Sequence, residues 1–451
     1  SPYSGQEVTL IFETKGSYPI EPPFKREPNT ENDFAVLSNP RIGNQAKQSR
    51  PNIILALVDA LRPDHLGCYG YSRETSPNID RIAREGVIFS NAISQASWTW
   101  PSVASLFTSL YPSQHKVTKI FGYPLSNSLT TLAEIMRDEG YTTGVISSNL
   151  CISEVFQFDQ GFDYFNKRCS SFGCGDDAEC ITNQILTWLE MNYDSSFFIY
   201  LHYMDPHAPF DPPSLFKGII DKPNNFNNIN RIISNYNGDI RFVDYHMGKL
   251  LSKLRELGMD DNTLFIIIAD HGEEIYEHGG IAHGPTLYEE VLRIPVIFRY
   301  PALFPKGKVV EEIIQTIDIA PTILDVAGIQ EFKDMEGSSL LPLLSDKDRS
   351  LKSIVFSETG KFRVRGKMTL QSKRWKLISD YSNTKIELYD LHNDPYESHN
   401  LISEESELVL DLLKSMNCIQ KSLEFSEQPP EEKVKINEEM KERLRSLGYI
   451  H

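Results

Sequence analysis

The chain has 451 residues, 40% hydrophobic and 24% charged, a globular composition long enough for one large α/β domain with an appendage or for two to three domains. A formal net charge of −17 offers nothing to offset phosphate repulsion, which argues against a nucleic-acid partner. No apolar run approaches the length of a bilayer span and no secretory signal is present; the first residue is Ser1, so a processed chain is expected, compatible with a membrane tether in the full-length protein.

Residues 1–50 carry one strand-like run, EVTLIFET, and then a Pro/Asn-rich stretch. They are expected to be a linker or the end of an upstream β-domain. From residue 51 to about 345 short apolar runs alternate with helical patterns. PNIILALVDALRPDH, TTGVISSN, SFFIYLHYMD, NTLFIIIADHG and IPVIFRY read as buried parallel strands. NIDRIAREGV, TLAEIMRDEG, AECITNQILTWLEMN and FVDYHMGKLLSKLRELG between them read as helices. Such alternation predicts an α/β fold, an open and mostly parallel sheet with helices on both faces, whose ligands bind at the carboxyl ends of the strands.

Residues 346–451 have another texture. SIVFSETG, KMTLQSKRWKLISD and KIELYDLHND alternate apolar and polar residues, which predicts a smaller antiparallel sheet, followed by an amphipathic helix at the end of the chain. Among six cysteines, Cys169, Cys174 and Cys180 crowd the loop CSSFGCGDDAEC, which contains no C-x-x-C pair of the kind zinc sites use. A disulfide in an extracytoplasmic compartment is the expectation, with buried thiols as the alternative.

Three strand ends carry acids and imidazoles: Asp59 after IILALV, Asp205 and His207 after FFIYLHYM, and Asp270 with His271 after LFIIIA. A single Asp after a strand is usually a cap or a turn former. Several such groups at the carboxyl ends of one parallel sheet converge on one crevice, and a mixed oxygen and nitrogen set suits a divalent metal. Zinc or manganese is the favoured ion, with magnesium or calcium as alternatives and one ion or two. Thr99, in ASWTWPSVASLFTSLYP, precedes a predicted helix with Pro101 in its first turn. A Thr there is ordinarily an N-cap; beside a metal it is also a nucleophile whose alkoxide the cation stabilises. Trp98 and Trp100 read either as an aromatic platform or as core.

Five ordered blocks, NIILALVDALRPDHLGCYGY, WTWPSVASLFTSLYPSQH, HYMDPHAPF, IIIADHGEEIYEHGGIAHGPTLYEEVLRIPVIF and IELYDLHNDPYESHNL, resemble the sulfatase family of the alkaline phosphatase superfamily. The resemblance runs from about residue 51 to the C-terminus and implies metal-assisted attack on a sulfate or phosphate ester. Departures from the family pattern are specific. The formylglycine motif Cys-x-Pro-Ser-Arg, or its Ser variant, reads Thr99-Trp100-Pro101-Ser102-Val103, and threonine cannot be oxidised to that aldehyde. The doubled Asp reads Asp59-Ala60, and the lysine-bearing block falls near VISSNL, without lysine.

Threonine-using relatives of the superfamily imply a metal set of Asp59, Thr99, Asp270 and His271. By the same resemblance His207 and His283 contact the ester or its leaving group, or hold a second metal with Asp205. His202, His278, Glu273 and Asn149 have weaker claims. The expected activity is hydrolysis or transfer of phosphate esters, diesters favoured, with Thr99 as nucleophile. The substrate class is an anionic ester on a lipid head group, a glycan or a small molecule. A sulfatase working without formylglycine is the first alternative, and an inactive binding protein of the same fold is the second.

Overall fold

The computed structural model describes residues 50–119, 122–166, 177–218, 228–330, 334–344, 354–360, 366–423 and 438–446. The strand-like run and linker expected in residues 1–50 lie outside them, apart from Arg50.

The apolar runs form strands because nearly every residue in them is buried on both faces. In chain order the strands are β1 (Asn52–Val58), β2 (Val87–Ile93), β3 (Thr142–Ser147), β4 (Tyr164–Asn166), β5 (Phe197–Tyr203), β6 (Thr263–Ile268), β7 (Glu274–Ile275), β8 (Ile281–Ala282), β9 (Arg293–Arg299) and β10 (Lys308–Gln315). All but β7 and β8 join one sheet in the order β10-β2-β9-β6-β1-β5-β3-β4. Strand β9 pairs antiparallel with β2 and β6, and the other pairings in this sheet are parallel. The expected mostly parallel sheet is therefore present. Helices Pro77–Arg84, Thr99–Thr108, Leu132–Asp138, Ala178–Asn192, Asn228–Glu256 and Ile319–Val326 accompany it.

A second sheet, β11 (Val355–Glu358), β12 (Lys367–Gln371), β13 (Trp375–Asp380) and β14 (Ile386–Asp390), is antiparallel throughout, as expected. Helix Ser406–Leu423 packs on it through Val409, Met416 and Leu423, which share a core with Leu370, Leu377 and Leu388. Strand β11 also reaches the main domain: Glu358 N–H donates to the Gln95 carbonyl, and the Ser357 hydroxyl to the Ser94 carbonyl.

Four elements depart from the sequence reading. Strands β2 and β10, VIFSNAI and KVVEEIIQ, carry polar residues at partly exposed positions, which breaks the continuous apolar signal. The helix expected from Phe242 begins at Asn228, because Ser234, Tyr236, Asn237, Gly238 and Asp239 are buried although mostly polar. Helix Ser406–Leu423 is amphipathic and has little buried surface of its own. Cys68, Cys151 and Cys418 are free thiols and Cys180 is not one of them; Cys169 and Cys174 lie outside the described residues. Among the described residues no helix is long and apolar enough to cross a membrane.

Candidate active site

Strands β1 and β6 are neighbours and end together, with Leu57 opposite Ile268, so Asp59 and Asp270 emerge side by side at the carboxyl edge. Asp59 N–H donates to the Tyr203 carbonyl at 2.9 Å, which extends β1 by one bond. Ala60 then turns into the left-handed region (φ 55°), and its N–H faces Asp270 Oδ1 at 3.3 Å. The His271 N–H donates to the same oxygen at 3.0 Å. With Oδ1 of Asp270 so engaged, Oδ2 is buried and accepts no hydrogen bond, and the same holds for Asp59 Oδ1.

His271 Nδ1 lies 2.8 Å from the Gly272 carbonyl, an acceptor only, so the proton resides on Nδ1 and the Nε2 lone pair faces inward. Nε2 is 3.3 Å from Thr99 Oγ1, 3.5 Å from Asp59 Oδ1 and 3.4 Å from Asp270 Oδ2. Burial lowers the basicity of this imidazole against the pull of Asp270, and nearby His283 lowers it further. Gly272 is required here: a Cβ would lie 2.1 Å from the Glu290 carbonyl. Its N–H donates to the Val291 carbonyl at 2.7 Å.

Thr99 is the first residue of helix Thr99–Thr108, and Trp98 holds the extended cap position without a side-chain cap bond. Thr99 Oγ1 lies 3.5 Å from Asp59 Oδ2. Ser94 and Ser102 both donate to the Asp270 carbonyl, at 2.5 and 2.7 Å, tying the helix to the end of β6. Trp98 and Trp100 are fully buried, and the Trp98 indole N–H bonds the Thr359 carbonyl at 2.8 Å. Of the two readings of these tryptophans, the structure places them in the core.

The remaining candidates divide. The His283 ring lies against that of His271, centroids 4.1 Å apart and tilted by 31°, and the His207 ring is 5.0 Å from that of His283. His283 Nδ1 is 3.2 Å from a carboxylate oxygen of Glu273, which is buried. Burial pushes the Glu273 carboxyl up to about 7 against the pull of His207 and His271. Asp205 points elsewhere: Oδ2 accepts from the Ala178 N–H at 2.9 Å at the start of helix Ala178–Asn192. His65 and His115 bond Asn237 and Ser105 inside the fold, and His278 bonds Glu290.

Two groups weighed lightly from the sequence stand closest to Asp59. His202 Nε2 is 3.1 Å and Asn149 Nδ2 is 2.9 Å from Asp59 Oδ2. Sheet register explains both, since β5 pairs with β1 so that His202 lies opposite Leu57, and with β3 so that it lies opposite Ser147. A histidine within an apolar strand next to the strand ending in Asp59 was the available signal. Burial opposes ionisation of Asp59, yet His207, His202 and His271 hold its carboxyl well below the usual range. Burial and the Asp59 charge push Asp270 up to about 6.

A divalent cation fits this pocket. Ligand atoms of Asp59, His202 and Asp270 lie within 4.8 Å of one another, and two buried carboxylate oxygens await a partner. Comparison with known proteins then fixes the family. The sulfatase family model matches residues 51–329.

The chain belongs to the sulfatase family. A second model, the N-sulphoglucosamine sulphohydrolase C-terminal region, matches residues 277–422. An arylsulfatase of Clostridium perfringens is 26% identical, with 81% of this chain and 93% of that protein covered. An N-acetylglucosamine-6-O-sulfatase of Bacteroides thetaiotaomicron is 24% identical over 89% of this chain and 92% of its own. Among solved structures, one in complex with its substrate D-glucosamine-2-N,6-O-disulfate matches with a TM-score of 0.73 at 22% identity, covering 85% of this chain and all of that one. A phosphonate monoester hydrolase of Agrobacterium radiobacter matches with a TM-score of 0.70 at 18% identity, covering 83% and 96%. These structures share the fold of this chain, in which Thr99 opens helix Thr99–Thr108.

Proposed function

We propose that this sulfatase-family chain is a metal-dependent hydrolase of sulfate esters on an anionic saccharide, with Thr99 as the attacking group in place of formylglycine. The observation carrying the reading is the Thr99 hydroxyl at the start of its helix, 3.3 Å from His271 Nε2 among buried acids. Relatives that bear sulfatase names support sulfate over the phosphodiester expected from the sequence.

Asp59, Asp270 and His271 would hold the cation, which supplies Lewis-acid stabilisation of charge on the ester and lowers the pKa of the hydroxyl. Thr99 Oγ, its proton released to solvent water, attacks sulfur in line, the bond to the leaving oxygen breaks, and the leaving alcohol takes a proton. His283 is the donor of that proton, with Glu273 at its Nδ1 fixing the ring so that Nε2 faces the ester. Water then releases the sulfate from Thr99. The N-terminus of helix Thr99–Thr108 adds a favourable field for the anion.

Phosphate or phosphonate esters form the second reading, favoured by the hydroxyl nucleophile itself, which lacks the aldehyde hydrate of formylglycine. The test is turnover of paired aryl sulfate, aryl phosphodiester and aryl phosphonate substrates after metal stripping and re-addition. Metal-dependent sulfate turnover abolished by Thr99→Ala supports the main reading. Turnover confined to phosphorus esters replaces it with the second.

A further inference from the structure

The β7–β8 hairpin begins directly after Glu273 and ends directly before His283. Its ribbon is short: Glu274 pairs with Ala282 and Ile275 with Ile281, and both residues of β8 are exposed. So small a ribbon has little stability of its own, and the attachment of its tip decides how firmly Glu273 and His283 are set. At the tip Glu277 ion-pairs with Arg62, in the loop after β1, and His278 crosses to the side of the second sheet.

Acceptors enclose His278. Nδ1 lies 2.7 Å from Oε1 of Glu290, on helix Glu289–Leu292, and Nε2 lies 3.2 Å from the Glu397 carbonyl, in the loop after β14. The Tyr288 ring stacks on the imidazole, centroids 3.6 Å apart and 13° from parallel, and its hydroxyl donates to Glu387 of β14 at 2.9 Å. A neutral imidazole has one N–H and one lone pair, so it cannot donate to a carboxylate and a carbonyl together. The two contacts need two hydrogens, shared as an imidazolium beside the Glu290 carboxylate or as a neutral ring beside the carboxylic acid. In both forms the pair holds one titrating proton and no net charge. Losing that proton sets a nitrogen lone pair against an oxygen. The tyrosine face favours the imidazolium form.

The surrounding charges agree. Burial opposes the charge on His278, but the Glu290 carboxylate, the Glu397 carbonyl and the Glu397 charge raise its basicity above the ordinary histidine value. Burial also raises the Glu290 carboxyl against the pull of His278. Two ammonium groups stand near the same assembly. Lys376 Nζ is taken up by Glu289 and Glu397, and Lys367 Nζ is 5.9 Å from the Tyr288 ring centre.

We propose that His278 is the pH-sensitive latch of this hairpin: protonated, it fastens the tip to the loop after β14, and on losing its proton it lets the hairpin open. It is a positioning residue for His283, and that consequence alone rests on the reading of His283 as proton donor given above. The closed hairpin holds the proton more tightly than the open one, in which an imidazole titrates at about 6.5. The latch is therefore complete below about pH 6.5 and is lost as pH rises through the raised value of the closed form.

The experiment follows the manganese-loaded protein between about pH 6 and pH 8.5, the interval in which a latched histidine titrates. Carbon-13 labelling of the histidine rings gives the His278 titration by NMR, with His278→Gln to assign the signal. Hydrogen exchange of residues 274–283, corrected for the intrinsic rate, gives the opening of the hairpin. His278 is expected to titrate above the ordinary histidine value, and opening to increase by about tenfold or more across the interval. His278→Gln, which cannot titrate there, should flatten that dependence, and His278→Arg, a permanent cation, should keep the hairpin closed throughout. Titration of His278 at or below the ordinary value, or wild-type exchange no more dependent on pH than that of His278→Gln, overturns the latch. A pH-gated hairpin with aryl sulfate turnover that does not follow it keeps the latch and removes His283 from the reaction.

Discussion

His202 Nε2 stands 3.1 Å from Asp59 Oδ2, and the Tyr200 hydroxyl stands 2.7 Å from His202 Nδ1. An ionised carboxylate only accepts, so the Nε2 proton points at Asp59 and Nδ1 accepts from the tyrosine. This tautomer leaves no lone pair at Nε2 for a cation. In this tautomer His202 would orient a carboxylate ligand rather than bind the ion itself, and Asp59, Asp270 and His271 are the ligating set we propose. His202→Gln, whose amide still donates, is expected to keep metal affinity within a few-fold, whereas His202→Leu lowers it by about 10–100-fold. Calorimetric titration of the stripped protein with manganese reads both; equal and complete loss in the two variants would make His202 a ligand.

Thr99→Ala is expected to lower turnover by about 10³-fold or more, since it removes the group proposed to form the covalent bond. Thr99→Ser retains the hydroxyl and should retain measurable activity. The folded protein should survive both changes, because Trp98 and not Thr99 occupies the helix cap. Acid-quenched intact mass with the active serine variant gives a second readout: a group added on residue 99 reports the intermediate. Unchanged turnover in Thr99→Ala would remove the threonine from the chemistry.

The central strands and the convergence of Asp59, Asp270 and His271 were legible because continuous apolar runs end in those residues, and Thr99 because it precedes a helix with Pro101 in its first turn. Periodicity fails where burial is polar. Asn237 and Asp239 lie inside helix Asn228–Glu256, and β2 and β10 carry serine, asparagine and glutamate at partly exposed positions. The partners of Asp59 depend on lateral sheet order, β3-β5-β1-β6, which no local pattern encodes. Asp205 illustrates the converse: a sequence neighbour of His207, it is turned toward the amide of Ala178.

Asp239 sets a pH dependence of stability. It is 3% exposed, and its Oδ2 accepts no hydrogen bond. Burial, with Asp205 and Asp211 nearby, pushes its carboxyl up to about 9 against the pull of Lys217. An unfolded Asp titrates near ~3.9, so between about pH 4 and pH 9 the folded state holds a proton that the unfolded chain lacks. Stability must fall as pH rises across that window, by up to about 1.4 kcal/mol per pH unit for this one proton, and level off above it. Asp239→Asn removes the dependence: denaturant midpoints should rise at pH 8 and match the parent near pH 4. A loss of stability at both pH values would show that the carboxyl itself is needed.

Lys376 joins the small sheet to the segment of Glu289 and Glu290, which holds Glu273. Its side chain is wholly buried on β13, with Nζ 2.9 Å from Glu289 Oε1 and 3.0 Å from Glu397 Oε1. Glu397 in turn accepts the Glu289 N–H at 2.6 Å, and Gln371 donates to Glu289 at 2.8 Å. The next residue, Glu290, accepts the Glu273 N–H through its carbonyl at 3.0 Å, which positions the carboxylate paired with His283. Removing the ammonium leaves the buried Glu397 and the partly buried Glu289 carboxylates facing each other, and burial already pushes the Glu397 carboxyl up to about 7 against the pull of Lys376. Lys376→Met is expected to cost about 3–5 kcal/mol, whereas Lys376→Met with Glu289→Gln and Glu397→Gln should recover much of it, since paired apolar or neutral replacements avoid an uncompensated charge. Denaturant unfolding measures the stability, and turnover at a temperature where all variants are folded measures the coupling. A Lys376→Met protein of parental stability would mean that the two carboxylates take up protons at negligible cost, and that segment would then owe its position to the Gly272 and Glu273 backbone bonds alone.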